Sequence, residues 1–318
     1  MHKTFISTTK ITNVSAVHKN FCKLIKTVQK GKIIQVTATP FSNILAKASD
    51  PYFPDRIICL KHNDEYCGLD KFLNDSNYKH LSYKKNEFLD NYIRESLACF
   101  AASCCFYDSP KYEFLINIDS KREIHDKVTE KLLEILNKWS TNKPKNIKEF
   151  NDVLESRFRN QSKNIDRDVL LRKMHSVIKY LYRNFEQADS YYGSIVIWNQ
   201  GHTYDSECIS DTNKYSVIIG GTLLSRGVTF KYLSTELILN SPDVSSFAID
   251  TMMQRARWLG YRLDKQEYMT VIMSDKIYNG YKEATETFIK FNKYLKKNYK
   301  DIKLIKSFLL ETQKDHLD

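Results

Sequence analysis

A chain of 318 residues that is 42% hydrophobic, with 9 Gly and 6 Pro, has material for one or two buried cores and excludes a long flexible or low-complexity tract. Its 49 Lys and Arg against 38 Asp and Glu leave a net charge of +11, which favours polyanionic partners such as nucleic acid. A lysine-rich composition spread over solvated faces produces the same total, so charge alone decides nothing. The 7 cysteines include no C-x-x-C pair, and the adjacent Cys104 and Cys105 lie in an apolar run (LACFAASCCF) that reads as buried, reduced thiols.

Met1–Asn20 carries scattered lysines and no apolar core of a signal sequence. No apolar run approaches the roughly 18 residues of a spanning helix. The expectation is a cytoplasmic protein with no membrane association. In chain order, Asn13–Val28 has apolar residues at helical spacing and leads into Lys32–Thr37 (KIIQVT), a β-rich run halted by Pro40. A second short strand is expected at Ile57–Leu60, and a long core helix at Asn86–Phe106. Glu113–Ile118 (EFLINI) reads as a buried strand before the amphipathic helix Lys121–Trp139. Helices at Asn146–Arg159 and Asp166–Phe185 precede a strand at Ser194–Trp198. Strands at Tyr215–Ile219, Thr235–Leu239 and Tyr268–Ile272 then alternate with a helix at Ser246–Trp258, and helix Lys276–Lys297 follows. Such alternation predicts an α/β fold: a parallel sheet with helices on both faces.

Three segments carry chemistry. Thr37-Ala38-Thr39-Pro40 closes the first β-rich run. In two-lobed motor ATPases a hydroxyl-rich strand end of this kind couples phosphate sensing to the nucleic-acid side, although an ordinary strand-to-turn transition gives the same letters. Gly220-Gly221-Thr222-Leu223-Leu224-Ser225-Arg226-Gly227-Val228-Thr229 follows a strand directly. Glycines at the carboxyl end of a parallel strand let the backbone approach a phosphate or ribose, and Ser225, Arg226 and Thr229 add donors. A tight glycine turn is the bland alternative. Third is Gln254-Arg255-Ala256-Arg257-Trp258-Leu259-Gly260-Tyr261-Arg262. Arg257 and Arg262, with Gly260 loosening the backbone between them, suit a pair of arginine fingers, and Gln254 suits a contact to nucleotide or bridging water. A basic helix end that complements the helix dipole would look similar for a single arginine.

Together these segments resemble the Z-one (Z1) domain proteins, described as candidate endonucleases on a superfamily-two helicase-like ATPase core. The resemblance runs through Thr37–Ala46 (TATPFSNILA), the FPDRIICL and YCGLDKF segments, Ile218–Phe230 (IIGGTLLSRGVTF) and Ile249–Arg262 (IDTMMQRARWLGYR). The last two match the family patterns GGN-LSRGLT and DT-LQMGRW-GYR, with agreement at Asp250, Thr251, Gln254, Arg257, Trp258, Gly260, Tyr261 and Arg262. Thr222 stands for the usual Asn, and Arg255-Ala256 for Met-Gly.

The resemblance implies RecA-like lobes with ATP and Mg²⁺ between them. It further implies nucleotide contacts at Thr37, Thr39, Gly220, Gly221, Ser225, Arg226, Gly227, Thr229 and Asp250, and catalytic roles for Gln254, Arg257 and Arg262. Residues 1–65 are then expected as a remnant of the first lobe and 66–107 as a helical connector. Residues 108–275 make the second lobe, with a helical insert at about 145–190, and 276–318 form basic C-terminal helices. The sequence contains no G-x-x-x-x-G-K-[ST], and the nearest acidic string, Asp64-Glu65-Tyr66, follows TATP, where the family's metal site precedes it. An N-terminally truncated member, or half of a split gene, is therefore expected, inactive as an ATPase without an upstream polypeptide carrying the first lobe. That module would act with nucleic acid, DNA foremost, in a prokaryotic or phage defence or repair system. Two other classes stand beside it. One is a non-catalytic nucleic-acid-binding or scaffold protein using Lys290–Lys306. The other is a metal nuclease using Asp119-Ser120-Lys121, a D-x-K pattern that chance supplies readily. No metal-ligand spacing joins His125, His175 and His202.

Overall fold

The structure is a computed structural model and describes residues 16–27, 33–36, 55–58, 60, 63–68, 71, 78–81, 88–118, 121–186, 195–198, 213–221, 229–239, 249–261 and 264–298. The chain divides into two compact units. One comprises Met1–His62, Phe247–Gln254 and Glu283–Asp318; the other comprises Asn63–Ser246 and Arg255–Lys282.

In the first unit the expected N-terminal helix is present as α1 (Ala16–Thr27). Residues 33–36 and 56–58, read from sequence as parts of strands, are described without strand pairing. Ile34, Val36 and Leu60 are more than four-fifths exposed.

The second unit is built on a six-stranded sheet. Its strands are β2 (Tyr78–Leu81), β3 (Tyr112–Asn117), β4 (Ile195–Trp198), β5 (Tyr215–Gly220), β6 (Leu233–Ile238) and β8 (Thr270–Ser274). Their order is β2-β8-β6-β3-β5-β4, and every pairing is parallel. The α/β class is therefore as the alternation predicts. Central strands of such a sheet are buried on both faces, which is why β3 and β5 are apolar over most of their length; β6 is buried throughout although half of its residues are polar.

One face is covered by four helices: α2 (Phe88–Phe106), α3 (Arg122–Thr141), α4 (Lys148–Glu155) and α6 (Arg167–Glu186); the single turn α5 (Arg159–Ser162) joins the last two. Phe114, Ile116, Val217, Ile219, Leu237 and Ile272 meet Ile93, Phe100, Leu132, Phe150 and Ile178 in one cluster. The helices within 145–190 pack against the sheet as part of this layer. Arg157 ties it to the sheet, donating from Nη2 to the carbonyls of Glu267 and Met269, both at 2.8 Å, just before β8.

Two strands went unread within 66–107, the expected helical connector. β2 is an edge strand against β8. The other, β1 (Tyr66–Cys67), pairs antiparallel with β7 (Gly260–Tyr261), and the Tyr66 and Tyr261 rings meet edge to face at 5.5 Å. Gly260 has φ 145°, a conformation that glycine alone enters readily, so the residue expected to loosen the chain instead redirects it into this ribbon. The helix expected over 246–258 is observed as α7 (Ile249–Arg255), and a turn follows, with the Arg257 amide donating to the Arg255 carbonyl at 2.8 Å. The closing helix is α8 (Asp275–Asn298).

Candidate functional site

β5 lies on one side of β3 and β6 on the other, so the chain crosses over β3 between them. This is the topological switch point, and the carboxyl ends of strands flanking it are where open parallel sheets bind ligands. The edge there is held by ladder bonds: the Ile118 amide donates to the Gly220 carbonyl and the Leu239 amide to the Asn117 carbonyl, each at 2.9 Å. Gly220 ends β5 in register with Asn117 on one side and Trp198 on the other, and Gly221 follows, buried, at a bend. The glycine pair read from sequence as a phosphate approach thus sits beside the central strand. Thr229 is described beyond it as exposed; Ser225, Arg226 and Gly227 lie outside the described residues.

Alternate residues of the strands face away from the four-helix layer, and on that side buried polar groups stand among apolar ones such as Leu115, Ile218 and Met273. Glu113, Asn117, Ser216, Ser234 and Glu236 are all under 9% exposed. The backbone amide of Tyr232 donates to Glu113 Oε2 at 3.0 Å, and Ser234 Oγ donates to the Glu113 carbonyl at 3.3 Å. Asn117 is 1% exposed, and its Nδ2 is buried with no hydrogen-bond partner.

Arg257 belongs to this side. Burial lowers the pKa of its guanidinium, while the Glu236 carboxylate and, less strongly, Tyr281 favour the charged form. The Tyr281 hydroxyl is driven up by burial and by Glu236, against the pull of Arg255 and Arg257. Its ring meets Trp258 edge to face at 5.0 Å. Glu236, Arg255, Arg257 and Tyr281 therefore form one electrostatic group at the middle of β6. The Arg257 side chain is half-buried within the field of that carboxylate rather than fully in solvent.

The remaining candidates are more dispersed. Gln254 is half-buried in α7, and the division between units falls immediately after it. Asp250 is in the backbone of the same helix. Thr37, Thr39 and Arg262 lie outside the described residues, as do Asp119 and Ser120 of the D-x-K pattern. Two polar residues of the sheet, Asn117 and Glu236, were not singled out from sequence. Their signal was available: a polar side chain at a period-two position inside an apolar run, as in EFLIN and STELI.

Among the described residues no group of three His, Cys, Asp or Glu side chains converges as a metal site. His175 Nε2 lies 3.0 Å from the Trp139 carbonyl, and burial lowers its pKa; it fastens two helices together. Cys22, Cys67, Cys99, Cys104 and Cys105 are free thiols. The adjacent pair behaves as its apolar run predicts, with burial pushing Cys105 up to about 12 and Cys104 well above its usual range. No described helix is long and apolar enough to cross a membrane.

No curated protein and no solved structure matches the chain. A family model described as the Z1 domain matches residues 92–317, which takes in the four-helix layer, the central strands and the arginine segment. The chain belongs to the Z1 domain family.

Proposed function

We propose that this Z1 domain chain is the nucleotide-facing lobe of a helicase-like, DNA-associated NTPase, with ATP bound at the carboxyl edge of its sheet. The observation that carries the reading is the Gly220–Gly221 pair beside the central strand at the switch point. Backbone without side chains at that position lets a phosphate or ribose come close. Ser225, Arg226, Gly227 and Thr229, on the same connection, supply neutral donors and a forked cation. Arg257 and Arg262 supply positive charge for phosphates, Gln254 and Asp250 orient nucleotide or water, and Thr37 and Thr39 relay its presence.

The residues present fit the phosphates better than they fit the ion. The edge offers glycine backbone and a buried amide donor, whereas no described carboxylate cluster suits Mg²⁺. Phosphoryl transfer also needs a phosphate cradle with its lysine, and the sequence contains no G-x-x-x-x-G-K-[ST]. Both parts are proposed to come from a partner polypeptide carrying a first lobe. Mixing the purified chain with a P-loop lobe of a Z1 domain protein should give DNA-stimulated ATP hydrolysis. Gly220→Val, which places a branched side chain at the approach, should reduce it at least tenfold. Hydrolysis indifferent to Gly220→Val would sink the reading.

A second reading, a nucleic-acid-binding scaffold, draws on α8. There Lys290, Lys293, Lys296 and Lys297 are exposed, while Phe291 and Leu295 are buried as packing residues. If those four cations contact single-stranded DNA, log affinity should fall against log salt with a slope of about −3. Reversing all four charges should abolish most of that slope.

A further inference from the structure

We propose that Asn117 is a phosphate-binding residue of the switch-point edge, its side-chain amide donating to a phosphoryl oxygen seated against Gly220 and Gly221. The inference deepens the nucleotide reading above and rests on it for the location of the ligand.

Asn117 is the last residue of β3, the strand over which the chain crosses, and ladder bonds fix its backbone on both sides. In register with it stand Gly220 on β5 and Ile238 on β6. Residues paired across parallel strands share a face, so the position beside Asn117 on β5 holds no side chain at all. The result is a donor beside a position that carries no side chain. Its Nδ2 is buried, yet no protein group accepts its hydrogens. A buried amide without a partner is unfavourable by about 1–3 kcal/mol, and native structures retain such groups where a ligand or ordered water completes them.

The surroundings carry charge of both signs. Glu236 is on the neighbouring strand two residues before Ile238, and its side chain stands on the same face as Asn117. Strand geometry separates the two Cα atoms by about 8 Å. The Arg257 guanidinium lies within the electrostatic reach of the Glu236 carboxylate. A neutral amide donates to a phosphate oxygen without imposing a charge at the turn, as the glycine amides beside it would. Nothing in the apolar packing calls for a polar group here: Leu115, two residues earlier on this face, is fully buried as a hydrocarbon.

The test is a set of titrations with inorganic pyrophosphate, ATP and a 15-nucleotide single-stranded DNA on the full chain, for the wild type, Asn117→Ala and Asn117→Leu. Circular dichroism reports on the fold, and the leucine fills the volume of the amide should the alanine loosen the strand. At least one probe should bind the wild type, and both variants should weaken it about tenfold or more while remaining folded. ATP and pyrophosphate weakened together place a nucleotide's phosphates at Asn117. DNA weakened alone keeps Asn117 as a phosphate contact and removes the nucleotide reading. ATP bound equally by all three proteins keeps the nucleotide reading and overturns this one, leaving the amide to a buried water. Failure of the wild type to bind any probe overturns both.

Discussion

The two faces of the sheet use the same six strands to opposite ends. Toward the four helices the strands present Phe114, Ile116, Val217, Ile219, Leu237 and Ile272, with Thr235 and Thr270 as buried polar neighbours. One residue along each strand, they present Glu113, Asn117, Ser216, Ser234 and Glu236 among apolar neighbours such as Leu115, Ile218 and Met273, all deeply buried. Burial is thus similar while chemistry is not. Hydrocarbon on the first face stabilises in proportion to the area removed from water, whereas each polar group on the second must find a partner merely to break even. A domain selected for stability alone would make both faces alike. The polar face is the one that carries the glycine edge and Arg257.

The comparison can be broken most sharply on the apolar side. Phe114→Ala removes a ring stacked on Phe100 at 5.6 Å and should destabilise the unit by about 3–5 kcal/mol in urea titration. On the polar side, Arg257→Ala removes a half-buried cation whose field favours the buried Glu236 carboxylate, and should cost about 1–2 kcal/mol. Arg257→Lys should retain most of that stability, since charge is preserved. A finger role would appear as lost hydrolysis in a folded Arg257→Lys protein. Asn117→Leu should move the other way and raise stability by about 1 kcal/mol, because it removes an unpaired amide from the interior. A loss of stability there would mean that the fold itself depends on the amide.

The fourth test concerns ionisation on the apolar side. Burial raises Cys105, whose ordinary value is 9.0, and Tyr112, whose ordinary value is 10.0, to about 12 each. A group with a raised folded pKa stabilises fully below its unfolded value and loses that contribution as pH climbs through the folded one. Stability should therefore be insensitive to these groups below pH 9.0 and fall progressively toward about pH 12. Cys105→Ala should flatten the early part of that decline in thermal melts across pH.

Much of the fold was legible because the chain obeys simple periodicities. EFLINI and SIVIW are too apolar and too short to be anything but strands of a parallel sheet, and α2, α3, α6 and α8 follow their helical patterns to within a few residues. β1, β2 and β7 were not legible, since YC, YKHL and GY owe their extended state to partners far along the chain rather than to composition. The end of α7 was missed for a similar reason. Ala256, Arg257 and Trp258 are acceptable helix residues, and Trp258 leaves the helix to pack on Tyr281. Within the candidate site, Gly220 and Gly221 stood out as glycines do, and Arg257 as part of an arginine cluster. Glu236 and Asn117 are single letters in apolar strings. Their meaning depends on register with neighbouring strands, which one strand's sequence does not contain.

The pairing of β2 with β8 also sets a clock on biosynthesis. Tyr78 leaves the ribosome almost two hundred residues before its partner Val271. At the usual elongation rates of about 5–20 residues per second, the first strand waits roughly 10–40 s for a sheet edge to join. During that interval the apolar strands β3, β5 and β6 are made in turn, with the slot that β8 will fill still open. Non-local parallel pairing is slow to form and invites mispairing while it is incomplete. Yield of the folded chain should consequently depend on what shields that edge during synthesis, and slow translation after β6 would lengthen the exposure.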